Sequence, residues 1–187
     1  MIKCQFCKAD ARNSFFCDGC SKVLPICWDD MFSALGMSVD FDLDMASLRH
    51  NYYQRLERLH PDSFNQASEE ERRLAQEYSA FLNGAYNALR QPWTRAEYML
   101  NLIGPDHAVD RKVDQSLLLE VMEWREQMES LGHEGFIELQ EKAVIREIEM
   151  LGKFKLFISA NNWIEAWGVI AQFRFLKRFM DDLSKFI

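Results

Sequence analysis

The chain has 187 residues, 48% hydrophobic and 27% charged, which is globular composition and too short for a large multidomain enzyme. Eight Gly and four Pro supply few tight turns, so long helices are favoured over an all-β barrel or sandwich. A net charge of −7 offers no basic footprint for nucleic acid or an anionic membrane surface, and no apolar run reaches the roughly 20 residues of a membrane span.

The N-terminus, MIKCQFCKAD, has neither the apolar core of a signal peptide nor the Arg/Ser-rich amphipathy of an organellar leader. Cys4 and Cys7 form one C-x2-C pair, and Cys17 and Cys20 form a second. Each pair sets two thiolates on one side of a tight knuckle, and two facing knuckles complete a tetrahedron around one ion. Gly19 lies inside the second knuckle, where a permissive backbone is useful. So short a module cannot bury enough apolar surface to fold alone, so the metal supplies the folding free energy, on the order of 10–16 kcal/mol. Structural zinc is the expected ion. A rubredoxin-like iron centre is the alternative, since four thiolates suit either metal, but no flavin or nicotinamide fingerprint accompanies it. Two disulfides are the remaining reading. Metal-type cysteine spacing implies a reducing compartment, the cytoplasm as the sequence stands. The fifth cysteine, Cys27, stands beside Trp28 and reads as a partly buried free thiol.

After Pro25 the pattern turns helical. Asp29 or Asp30 caps a short helix containing Met31, Phe32 and Leu35 that ends near Gly36. Asp44 caps the next, whose Leu48, Tyr52, Leu56 and Leu59 share one face. Its opposite face carries Arg49, Arg55 and Arg58, a local inversion of sign in an acidic chain that reads either as a solvated face or as a docking surface for an acidic partner. Pro61 stops this helix at about His60. Ser68 and Glu71 form a capping box for a long helix through Leu74, Tyr78, Phe81, Ala85 and Leu89 to Arg90. Pro92 is placed to open another short helix around Arg95–Leu102. The simplest arrangement is two antiparallel helices joined by a loop that begins His60-Pro61-Asp62. A His–Asp catalytic dyad has no accompanying nucleophile or oxyanion element.

A short helix, a basic helix, His-Pro-Asp and a longer antiparallel helix together resemble the J-domain of DnaJ-type co-chaperones. The resemblance implies that His60, Pro61 and Asp62 trigger ATP hydrolysis by a DnaK-type chaperone, with Arg49, Arg55 and Arg58 as docking contacts. Ser63 stands where the family often carries a basic residue.

Gly104-Pro105-Asp106 breaks the chain, and helical patterning resumes from about Asp114, interrupted at Leu131–Gly135 and at Asn161-Asn162. Three helices follow, the middle one roughly 25 residues or about 37 Å, and short connections make a three-helix bundle the natural packing. On the first, Leu117, Val121, Trp124, Met128 and Leu131 form one stripe. Leu118, Leu119 and Met122 fall outside it, on the side shared with Glu123 and Glu126. A second apolar side demands a second neighbour: the J-domain, its connecting segment or another protein. The last helix aligns Val169, Phe173, Leu176, Met180 and Leu183 and leaves Phe175 off the stripe.

A J-domain followed directly by a three-helix bundle resembles the HscB family of iron–sulfur cluster co-chaperones. Specific strings carry the likeness: Arg95-Ala96-Glu97-Tyr98, Leu119-Glu120 with Glu123-Trp124-Arg125-Glu126, and Arg174-Phe175-Leu176. The four-cysteine module is similar to that of eukaryotic members, for which the mitochondrial matrix is the expected compartment once a leader has been removed. The resemblance implies an all-α protein with a zinc module at 1–27, a J-domain at 28–104 and a scaffold-binding bundle at 105–187. It also implies no enzymatic activity of its own, structural Zn²⁺, and two partners: a DnaK/HscA-type ATPase and the scaffold IscU, the latter held by Leu118, Leu119, Met122, Glu123, Glu126 and Phe175. The rival functions are a general J-domain co-chaperone for unfolded clients and an electron-transfer protein built on the four cysteines.

Overall fold

A computed structural model describes the chain except for Met1, Gln5, residues 12–14, 25–29, 65–66 and 105–113, Glu129, Leu131 and Ile187. For Ile2, Ala11, Pro61, Asp62 and His133 it describes the backbone only. Cys27, Trp28, Asp29 and Leu131 therefore lie outside the described residues. The chain divides into two compact units, Met1–Tyr98 and Met99–Ile187. Among the described residues no helix is long and apolar enough to cross a membrane.

The first unit opens with two short strands, β1 (Ile2–Lys3) and β2 (Asp10–Ala11), paired antiparallel, and with a lone bridge between Phe16 and Val23. Helix α1 (Met31–Ala34) is capped by Asp30, whose Oδ1 accepts from Ser33 N at 2.8 Å. It ends where Gly36 takes φ +64°, letting Met37 N reach back to Phe32 O and Gly36 N to Ser33 O. The positive φ favours glycine there, and a Cβ at residue 36 would stand 2.6 Å from an Arg55 guanidinium nitrogen, the movable end of a long side chain.

Helix α2 (Met45–Arg58) starts at Asp44, which accepts from Ala46 N and Ser47 N. Its Leu48 is fully buried, and Leu59 just beyond its end is buried too, while Tyr52 and Leu56 are half-buried. A 3-10 turn, Pro61–Phe64, follows. Helix α3 (Glu69–Arg90) begins with the complete capping box: Glu71 N donates to Ser68 Oγ at 3.2 Å, and Ser68 N donates to Glu71 Oε2 at 3.3 Å. Against α3 pack α1, α2 and the 3-10 turn. Leu82, rather than the neighbouring Phe81, completes its buried stripe with Leu74, Tyr78, Ala85 and Leu89. Positions three and four residues after Tyr78 flank the same face, and tertiary packing selects between them. Helix α4 (Pro92–Ile103) is longer than the sequence suggested, because Pro92 itself serves as its first residue.

In the second unit, α5 (Gln115–Met128), α6 (His133–Ser159) and α7 (Trp163–Leu183) pack on one another, α6 against α7 most extensively. At 27 residues, α6 is about 40 Å long. Asn161, at φ +52°, ends it with bonds from its own N to Ile158 O and from Asn162 N to Phe157 O, and Asn162 then caps α7 by accepting from Glu165 N. The α7 core stripe runs through Val169, Phe173, Leu176, Phe179 and Leu183. Met180 is only half-buried, so Phe179 takes the place the periodicity gave it. Among the described residues the fold is all-helical apart from the strands beside the cysteines.

Candidate functional site

The four cysteines come together through two copies of one local geometry. In the first knuckle Lys8 N donates to Cys4 O, Cys4 N donates to Ala9 O, and Lys8 takes φ +65°. In the second, Ser21 N donates to Cys17 O, Cys17 N donates to Lys22 O, and Ser21 takes φ +57°. A non-glycine residue in this region costs roughly 1–2 kcal/mol, so the repeated strain marks a conformation held by its surroundings. The Sγ atoms lie within 4.8 Å of one another, Cys4 to Cys20 at 3.7 Å and Cys7 to Cys17 at 3.4 Å. A tetrahedral ion with metal–sulfur bonds of about 2.3 Å requires sulfur–sulfur edges of about 3.8 Å. Two disulfides require about 2.05 Å, so the arrangement fits a four-thiolate metal centre. Gly19 N donates to Cys17 Sγ at 3.3 Å, and a side chain there would crowd Ala9 and Cys7. The Cys7 N–H draws the Cys4 thiol down to about 6. At Cys20 the Lys22 N–H pulls downward, but burial and the other three sulfurs outweigh it and push the thiol up to about 12. Four sulfurs this close ionise together only around a cation.

This centre is packed onto the helices. The Tyr78 hydroxyl donates to Leu24 O, and the Phe15 ring meets Tyr78 edge-on at 5.8 Å. Arg58 lies over the Phe16 ring at 4.2 Å, and Lys22 Nζ stands 3.5 Å from Glu71 Oε2.

His60 is exposed, just past the end of α2, and its carbonyl accepts from Ser63 N at 2.9 Å. The Pro61 and Asp62 side chains lie outside the described residues. An open groove runs along α2, lined by Arg49, His50, Tyr53, Gln54, Glu57 and His60 among others. Of the three arginines singled out in the sequence, only Arg49 reaches this groove. Arg55 folds across the Gly36 turn, half-buried, with its pKa lowered first by burial and then by the charge of Arg58. Arg58 is turned to Phe16.

On α5 the two sides separate cleanly. Leu117, Val121 and Trp124 are buried, whereas Leu118, Leu119 and Met122 are 38%, 60% and 49% exposed. Glu123 and Glu126 are exposed beside them, and Phe175 on α7 is half-buried. The result is an apolar strip with acidic neighbours that the chain leaves in water.

Over 166 residues, 85% of this chain and 94% of the other, the sequence is 31% identical to the co-chaperone protein HscB homolog of Cupriavidus taiwanensis. The chain belongs to the HscB co-chaperone family. A family model described as the HSCB C-terminal oligomerisation domain matches residues 113–184. The human iron–sulfur cluster co-chaperone protein HscB is 33% identical over 147 residues, 77% of this chain and 59% of that protein. The crystal structure of human co-chaperone protein HscB superposes with a TM-score of 0.88 at 25% identity, covering 98% of this chain and 97% of that one.

Two features of this HscB-family chain were not read from its sequence. One is the exposed apolar edge of α6, where Ile145 and Ile148 are more than half in water. A helical wheel over residues 133–159 would have exposed it. The other is the contact between the cysteine module and the helix ends, which joins residues far apart in sequence and leaves no periodic trace.

Proposed function

We propose that this HscB-family chain is a co-chaperone of iron–sulfur cluster biogenesis: α5, with Phe175, holds an IscU-type scaffold, and the hairpin presents it to a DnaK/HscA-type ATPase. His60, Pro61 and Asp62 trigger hydrolysis by that partner, and Arg49 with the α2 groove supplies the docking charge. Catalysis belongs to the partner. The two contacts cooperate because a scaffold held by one is concentrated beside the other. The four-cysteine centre holds zinc as a structural ion, in a reducing compartment. The observation that carries the reading is the two-sidedness of α5, whose exposed strip lies on the residues that the family likeness assigns to the scaffold.

The test is an ATPase assay of an HscA-type chaperone with and without an IscU-type scaffold. The wild-type chain should stimulate turnover, most strongly with scaffold present, and His60→Gln should abolish stimulation while scaffold binding persists. Loss of both would refute the separation of the two surfaces. An unfolded model client that competes equally with the scaffold would favour the general-chaperone alternative. A coloured, iron-containing preparation would favour the electron-transfer one.

A further inference from the structure

We propose that the cysteine module is a brace for the His60–Asp62 loop, with Phe16 and Lys22 as positioning residues acting through Arg58 and Glu71. The loop is bounded by the last turn of α2 and the first turn of α3, and the module touches both. On one side Phe16 sits under the guanidinium of Arg58, the final residue of α2 and two before His60. On the other, Lys22 pairs with Glu71, the residue that closes the α3 capping box.

Glu71 is 6% exposed, and its Oε2 already accepts from Ser68 N and Ser68 Oγ. A carboxylate removed from water in this way requires a countercharge, and Lys22 is the cation placed beside it. The module's contacts to the two helix ends come from residues 15–24, the hairpin of the second knuckle. Phe16 adjoins Cys17, Lys22 follows Cys20 by two and accepts the Cys17 N–H, and Phe16 bridges to Val23. The Phe6 ring, next to Cys7, receives Lys22 Nζ at 4.4 Å and ties the first knuckle to the same contact. An ion bound by all four sulfurs clamps this hairpin, and through it the two helix ends that carry the loop.

The functional half of the proposal rests on the co-chaperone reading; the structural half does not. Hydrogen exchange on the full-length protein separates them, comparing the metal-loaded chain, the chelator-stripped chain, and Lys22→Met and Phe16→Ala with the metal content verified as intact. The amides of His60, Ser63, Glu71 and Arg72 should exchange several-fold faster in the stripped chain and in both variants, while α5–α7 are unchanged. Lys22→Arg should behave as wild type, and Lys22→Met should add nothing in a Glu71→Gln background. In the ATPase assay, run at a temperature where the variants remain folded, the same variants should raise the concentration for half-maximal stimulation several-fold. Unchanged exchange at those amides after stripping would overturn the brace, and a response to stripping but not to either variant would overturn the assignment to Phe16 and Lys22. If the wild type fails to stimulate the ATPase, the co-chaperone reading falls while the exchange result still decides the brace.

Discussion

Leu117 and Leu119 stand two residues apart on α5, with identical chemistry and opposite surroundings, so replacing each by Ala separates folding from binding. Leu117 is fully buried, and its truncation removes a packed side chain and leaves a cavity, a loss of about 2–5 kcal/mol. For a unit of this size, each kcal/mol lowers the thermal midpoint by roughly 4–8 °C. Leu119 is 60% exposed. Full burial of a leucine is worth about 1.5–3 kcal/mol, so folding has claimed at most about 1 kcal/mol of it and a partner can claim another 1–2 kcal/mol. Leu119→Ala should therefore weaken the Kd for an IscU-type scaffold by about 5- to 30-fold and barely move the midpoint. Leu117→Ala should melt early, and its folded fraction should bind normally. Titration calorimetry and thermal melting on the same samples decide the matter. Equal melting penalties for the two variants, or a binding defect confined to Leu117→Ala, would refute the claim that α5 has an inner and an outer side.

Gly36→Ala should destabilise the first unit by the roughly 1–2 kcal/mol of a left-handed alanine, with the flexible end of Arg55 swinging aside from the new Cβ; a melting curve shows it. The metal centre should release its ion on acidification. Binding requires all four thiols deprotonated, and the high position of Cys20 without the ion means that protons compete strongly as pH falls, so affinity drops with decreasing pH. A colorimetric chelator followed against pH should register release in acid, and an affinity independent of pH would contradict the four-thiolate assignment.

Much of the fold was legible because helix ends carry local chemistry. Asp44, Ser68 with Glu71, and Gly36 each sit where a cap is required, and each performs that role. The interior was less legible. Phe81 against Leu82 and Met180 against Phe179 are choices between the third and fourth residue after a core position, which a wheel leaves nearly equal and a neighbouring helix resolves. The cysteine cluster and the outward side of α5 could be read because spacing and periodicity encode them directly. The fate of the arginines could not, since whether Arg55 meets solvent or the Gly36 turn depends on a chain reversal some twenty residues upstream.

The joint between α6 and α7 has a consequence for how the chain tolerates change in length. Asn161 and Asn162 finish one helix and start the next, so the corner contains no spare residue. An amino acid added within either helix, instead of in the exposed corner, would rotate everything beyond it by about 100° and swing Phe173 and Phe179 out of register. Length changes inside α6 or α7 are thus tolerated only in steps near a whole helical turn, whereas a longer insert at the exposed corner gives up its two caps and leaves the register of α7 intact.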